Sequence, residues 1–425
     1  MVPRVLTAMA MSRSVFGCGY LGKVHHRWGV LVLAAGVAAA QNLMPVSSPG
    51  GTVQLFATDA AILEAQEVRK DLACTVTPNK ASLGFDLKYH SGYEVSVPLK
   101  ELAGDDNQLT MVVRVTPEAH PDEPVYFSQH ITVPAIEEGA GGPAYLTGTF
   151  DVGEGKYHVD WLMRDRAERV CSFYWDIEAS LPAKDKQMAL DIPAAAVRPA
   201  DTEPFKQEAP VARQQQEPLN VKVVVNFAPQ DSDSATLQPL DTNALISILR
   251  SIAREPRIGK FSIVAFNMQQ QRVLYRQEDA SQIDFPALGK ALSSLNLGTV
   301  DLKKLSQKHG DSEFLSGLIT KELKDDKPVD AVIFAGPKVT VEDGLTADAM
   351  KQLTDVKMPV FYMNYNLNPQ LNPWRDAIGT TVRYLKGVEF TIARPRDLFF
   401  SWTEIMGRIV KLKFGRTGSG SSASQ

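Results

Sequence analysis

Apolar and polar positions run in two different rhythms along the chain. From about 72 to 181, short runs rich in Val, Phe, Tyr and Thr alternate with turn residues. They are LACTVTP (72–78), GFDLKY (84–89), YEVSVPL (93–99), QLTMVVRVTP (108–117), VYFSQHITVP (125–134), AYLTGTFDV (144–152), KYHVDWLMRD (156–165) and VCSFYWDIEA (170–179). About eight strands at roughly 8–15-residue spacing predict a β-sandwich. Alternation puts Tyr157, Val159 and Trp161 on one face of their strand and His158 and Asp160 on the other. Cys171, Phe173 and Trp175 share a face in the same way.

From 219 to 412 the period switches between two and 3.6. NVKVVVNF (220–227), FSIVAFN (261–267), RVLYRQ (272–277), DAVIFAG (330–336), PVFYMNYN (359–366) and VEFTIA (388–393) read as strands. DTNALISILRSIARE (241–255) reads as an amphipathic helix with Asp241 as N-cap and Leu245, Ile248, Leu249 and Ile252 on one stripe. FPALGKALSSL, SEFLSGLITKELK, ADAMKQLTDV, WRDAIGTTVRYLK and RDLFFSWTEIMGRIVKL supply further helices. In the last, Phe399, Trp402, Ile405 and Ile409 form the apolar stripe. Buried strands alternating with helices predict a doubly wound, mostly parallel sheet with an antiparallel edge hairpin. The expected fold class is therefore α/β plus all-β.

The N-terminal segment changes the picture. WGVLVLAAGVAAA (28–40) follows Lys23, His25, His26 and Arg27. A basic region, a short apolar run and small residues before a cut predict a secretory signal peptide. Ala38-Ala39-Ala40 puts the cut before Gln41, and the chain starts at Met1 or at Met11, the latter being the more typical start for such a segment. The run is too short to cross roughly 30 Å of hydrocarbon, and no later segment approaches the ~18 apolar residues of a span. The processed chain keeps Cys74 and Cys171, an even pair that in an exported protein predicts a disulfide.

Composition then divides the chain. The expected plan is a signal peptide at 1–40, a loose N-terminus at 41–60 and a β-sandwich at 61–181. A Pro/Ala/Gln-rich linker at 182–218, a second domain at 219–412 and a low-complexity tail at 413–425 follow. With 44% hydrophobic and 22% charged residues over 425, wholesale disorder is excluded. A formal charge of −4 gives no footprint for nucleic acid.

Candidate chemistry is sparse. Gly310-Asp311-Ser312 invites comparison with GDS esterases, but no His follows His309, so a Ser–Asp–His order cannot form. No G-x-S-x-G elbow or P-loop occurs. His90, His120, His130, His158 and His309 show no metal-ligand spacing. Gly153-Glu154-Gly155-Lys156 reads as a hairpin turn. The loop NYNLNPQLNPWRD (364–376) follows a strand, where function concentrates, so Tyr365, Trp374 and Arg375 are the candidate partner-binding residues.

Residues 219–412 resemble a von Willebrand factor A-type domain. The resemblance rests on NVKVVVNF, FSIVAFNMQQQRVLYRQ with its charged hairpin, GDSEFLSGL and DAVIFAG. Set behind an immunoglobulin-like sandwich, it is similar to the A-domain-related secreted proteins of soil bacteria, acidobacteria among them. Such domains hold Mg²⁺ through a D-x-S-x-S motif, a Thr and an Asp at the strand carboxyl ends. The resemblance puts those positions on Asn226, Ala228, Gln230, Ser312 and Pro337. Hard cations require oxygen ligands of high charge density, so this set implies a degenerate motif with no metal and no cofactor. Asp231, Ser232, Asp233 and Ser234 follow with the wrong spacing, and Asp311, Glu342 and Asp343 fall in the same loops. The expectation is an exported, non-enzymatic binding or adhesion-type module, periplasmic or secreted, with a protein partner. A structural subunit of an envelope assembly and a hydrolase with an unrecognised site are the alternatives.

Overall fold

Alternating burial builds two facing sheets from the first half of the chain. In chain order the strands are β1 (Asn42–Leu43), β2 (Thr75–Leu83), β3 (Tyr89–Pro98), β4 (Gln108–Pro117), β5 (Val125–Thr132), β6 (Pro143–Val152), β7 (Gly155–Asp165), β8 (Val170–Ala179) and β9 (Val197–Pro199). The computed structural model describes residues 41–44, 55–105, 107–231, 234, 236–295, 309–325, 327–341, 344–370 and 376–415. Within these, one sheet runs β1–β5–β4–β7–β8 and the other β2–β3–β6–β9, all pairs antiparallel.

Their inward side chains share one core: Tyr93, Val95 and Val97 from β3, Met111 and Val113 from β4, and Tyr157, Val159 and Trp161 from β7. Tyr93 meets Trp161 edge-on at 5.4 Å. Helix α1 (Ala57–Ala65) covers the outer face, placing Leu63 against Val112, Leu162 and Val170. Cys74, just before β2, is disulfide-bonded to Cys171 on β8, with Cα atoms 6.3 Å apart. The bond ties the edge strands of the two sheets.

The third sheet comprises β10 (Leu219–Asn226), β11 (Ile258–Asn267), β12 (Arg272–Ala280), β13 (Ala331–Gly336), β14 (Val360–Tyr365) and β15 (Val388–Ile392). Its order is β12–β11–β10–β13–β14–β15, with β12 antiparallel and the rest parallel. The helices around it are α2 (Pro239–Ala253), α3 (Phe285–Leu292), α4 (Gly310–Leu323), α5 (Ala347–Gln352), α6 (Ala377–Tyr384) and α7 (Pro395–Phe414). Val221, Val223 and Val225 face α2 and α7, while Val224, Phe334 and Tyr362 face α4 and α6. No described helix is long and apolar enough to cross a membrane.

The expected fold class is corrected by this arrangement. The chain is mainly β: fifteen strands in three sheets against seven α-helices among the described residues. It does not show the doubly wound von Willebrand A-like class beside an immunoglobulin-like sandwich. Stretches patterned as long helices yield helices of six and eight residues in α5, α3 and α6. A short apolar stripe suffices to cover two strands, so the 3.6 period overstates the helical share.

The cores also interpenetrate. Phe85, from the β2–β3 turn, packs in the six-stranded sheet's core, and Phe399 and Phe400 of α7 pack on the sandwich. The described residues from Gln41 onward belong to one compact unit. The stretch 182–218 contributes β9 to the sandwich and packs Phe205 on the other core. Its Glu208 pairs with Arg250 at 2.9 Å and Arg254 at 2.7 Å on α2. A second correction concerns α2 itself. Gln238 is the N-cap and Pro239 opens the helix, so Asp241 lies inside the first turn and is buried.

Candidate functional site

Parallel strands that end together leave a crevice at their carboxyl ends, the usual ligand location in open sheets. Here β10 ends at Asn226, β13 at Gly336 and β14 at Tyr365. Val225 pairs with Ala335 and Gly336 with Asn364, so Asn226, Gly336 and Asn364 form one row across three strands. Gly336 has φ +132°, and a Cβ there would lie 2.7 Å from the Asn226 carbonyl oxygen. Only glycine admits that approach.

Amides crowd this end. The Met268 N–H donates to Asn226 Oδ1 at 3.2 Å, but Asn226 Nδ2 has no partner. Asn364 Nδ2 donates to Glu389 at 2.8 Å, leaving Asn364 Oδ1 without one. Asn366 is 1% exposed and neither side-chain atom is hydrogen-bonded. Asp376 caps α6, accepting from the N–H groups of Ile378 at 3.1 Å and Val339 at 3.2 Å. Burial pushes its carboxyl pKa up. The orphaned atoms mix donors with acceptors, so no single cation satisfies them. Among the described residues no group of three or more His, Cys, Asp or Glu gathers as a metal-ligand set.

Asn226, Ala228, Ser312 and Pro337 are buried around the strand ends, Ser312 in the first turn of α4. Gln230 accepts from the Leu367 N–H at 2.9 Å. Tyr365 as an exposed interface anchor is corrected: it is 0% exposed and meets Phe85 edge-on at 6.1 Å. Its hydroxyl donates to Asp241 at 3.1 Å. As an odd-numbered residue of β14 it shares the inward face of Met363. Trp374, Arg375, Ser232, Asp233, Glu342 and Asp343 lie outside the described residues. Asn364, Asn366 and Asp376 were not singled out; the alternating Asn-Tyr-Asn at the end of an apolar run was the available signal.

A second polar cluster ties the sandwich to the 182–218 stretch. His90 on β3 bonds Asp151 at 2.7 Å and Asp86 at 2.9 Å. Lys88 Nζ donates to Asp201 at 2.7 Å, with Asp86 and Asp151 within 4 Å. Burial opposes the His90 charge, but the hydrogen bonds to Asp151 and Asp86 outweigh it and hold the pKa at about 10. A histidine pKa raised on folding adds stability that is complete below its unfolded value near 6.5 and is lost as pH rises toward about 10. Urea midpoints should therefore fall over that window more steeply in the parent than in His90→Gln. Parallel curves would refute the assignment.

No family model matches the chain, and no curated protein matches it. Among solved structures, a glycosyl hydrolase family 2 member from Bacteroides cellulosilyticus DSM 14838 is 9% identical over 76% of this chain and 39% of its own, with a TM-score of 0.18. Bacteroides uniformis beta-glucuronidase is 10% identical over 71% and 39%, also with a TM-score of 0.18. The chain spans 39% of the length of these two structures. Overlaps this loose define neither a common fold nor an activity.

Proposed function

We propose that the chain is an exported, non-enzymatic protein-binding module of the periplasm or cell exterior. Its contact face is the carboxyl end of the six-stranded sheet. The observation that carries this reading is the set of buried amide atoms without partners at Asn226, Asn364 and Asn366. Each such atom costs about 1–3 kcal/mol when left unmade. Several at one end of a sheet mark a place not optimised for stability alone. The Cys74–Cys171 disulfide and the signal-like 23–40 segment support export.

A photoreactive side chain tests the face. Gln370, exposed beyond β14, and Tyr145, 64% exposed on β6, are the two positions. In the source organism's envelope fraction, Gln370 should trap one distinct protein and Tyr145 none, equally in Mg²⁺ and in EDTA. Adducts from neither position, or only with a second copy of the chain, would overturn the reading. Trapping abolished by EDTA would show a divalent site and overturn metal-independent recognition.

A further inference from the structure

Gln41, the residue just after the predicted cut, is half-buried, with its side-chain amide between the two sheets of the sandwich. Asn42 and Leu43 pair with Ser128 and Phe127 at the edge of the five-stranded sheet, and the Met44 N–H donates to the Tyr126 carbonyl at 2.9 Å. From that edge the Gln41 side chain reaches across to the other sheet, where Nε2 donates to the Tyr93 hydroxyl at 2.8 Å. Tyr93 is 0% exposed and passes its own proton toward Met111 Sδ at 3.7 Å. Gly148 leaves room for this crossing, since a Cβ there would lie 2.3 Å from Gln41 Nε2 and 2.4 Å from the Tyr93 hydroxyl. Gln41 Oε1 is buried as well.

We propose that Gln41 is the N-terminal residue of the processed protein and that the Tyr93–Gly148 slot keeps it an open-chain glutamine, making residues 41–44 a latch strand whose release permits cyclisation to pyroglutamate. The inference rests on the export reading. A free N-terminal glutamine cyclises when its α-amine attacks the side-chain Cδ. The new C–N bond forms, the Cδ–Nε2 bond breaks, and ammonia leaves carrying the proton given up by the amine. No oxidant or other reactant is required. In the slot Nε2, the nitrogen that must leave, is hydrogen-bonded to the opposite sheet at 2.8 Å, so cyclisation requires that contact to break. Cyclisation must then wait for local opening of the edge.

Mass spectrometry of the N-terminal peptide from exported full-length protein tests both layers. The expected peptide starts at Gln41 and keeps its ammonia through native incubation, cyclising at least about tenfold faster in urea. Tyr93→Phe, which removes one hydroxyl from the slot, should speed cyclisation in folded protein. Gly148→Val should do so more strongly where it folds. A peptide starting elsewhere would overturn the processing site and the latch together. A peptide starting at Gln41 that cyclises equally fast in folded and unfolded protein would leave export standing and overturn the latch.

Discussion

Glu322→Ala should lower the unfolding free energy by about 3–5 kcal/mol, the cost of leaving a buried charge without its counter-ion. Glu322 is 1% exposed near the end of α4 and serves two cations. Arg276 on β12 grips it with both terminal nitrogens, at 2.6 and 3.2 Å. Lys222, 3% exposed on β10, lies 3.4 Å from its second oxygen. The ammonium also donates to the Glu322 backbone carbonyl at 3.1 Å and to Asp325 at 2.8 Å. Without the carboxylate, Lys222 keeps the partly exposed Asp325 as its one counter-ion among the described residues. Replacing the pair together, Lys222→Met with Glu322→Leu, should recover most of the loss, because a buried pair is near neutral against well-packed apolar side chains. Urea unfolding of both variants decides it. A single-variant loss below about 1 kcal/mol would place these charges in water.

How much of this was legible depends on what each residue answers to. The sandwich strands were readable because each has one dry face, so Tyr157, Val159 and Trp161 declare their side by alternation alone. The Cys74–Cys171 pair was readable by counting. The partition of the chain was not. Phe85 sits in a turn and Phe399 in a helix stripe, and nothing in either local pattern says which core each will enter. The 182–218 stretch looks like a spacer by composition, yet its contacts are scattered charges such as Glu208 and Asp201, whose partners lie far off in sequence. Tyr365 misled for a related reason. It closes the strand as well as opening the loop, and alternation with Met363 puts it on the inward face as a core side chain. Asn366, lying just beyond, owes its burial to the β15 carbonyl at Ile392 that takes its N–H, a tertiary fact.

Cys171→Ser should cost about 2–5 kcal/mol, the range for removing a native disulfide from a small exported domain. The two cysteines are 97 residues apart. A loop of that length gives about 4–5 kcal/mol in the chain-entropy account. Local contacts shape how the loss is distributed. Cys171 is 1% exposed on β8, and the backbone of 69–72 already pairs there, Lys70 bridging Cys171 and the Leu72 N–H donating to Val170 at 3.0 Å. Those hydrogen bonds persist in the reduced chain, so β8 should stay paired while β2, an edge strand, loosens first. Hydrogen exchange on the reduced protein should show β2 amides exchanging faster while those of β7 keep their protection. If reduction shifts the urea midpoint negligibly, the unfolded chain already holds these ends together and the entropic account fails. If β7 and β2 lose protection together, the disulfide supports the whole sandwich rather than one edge.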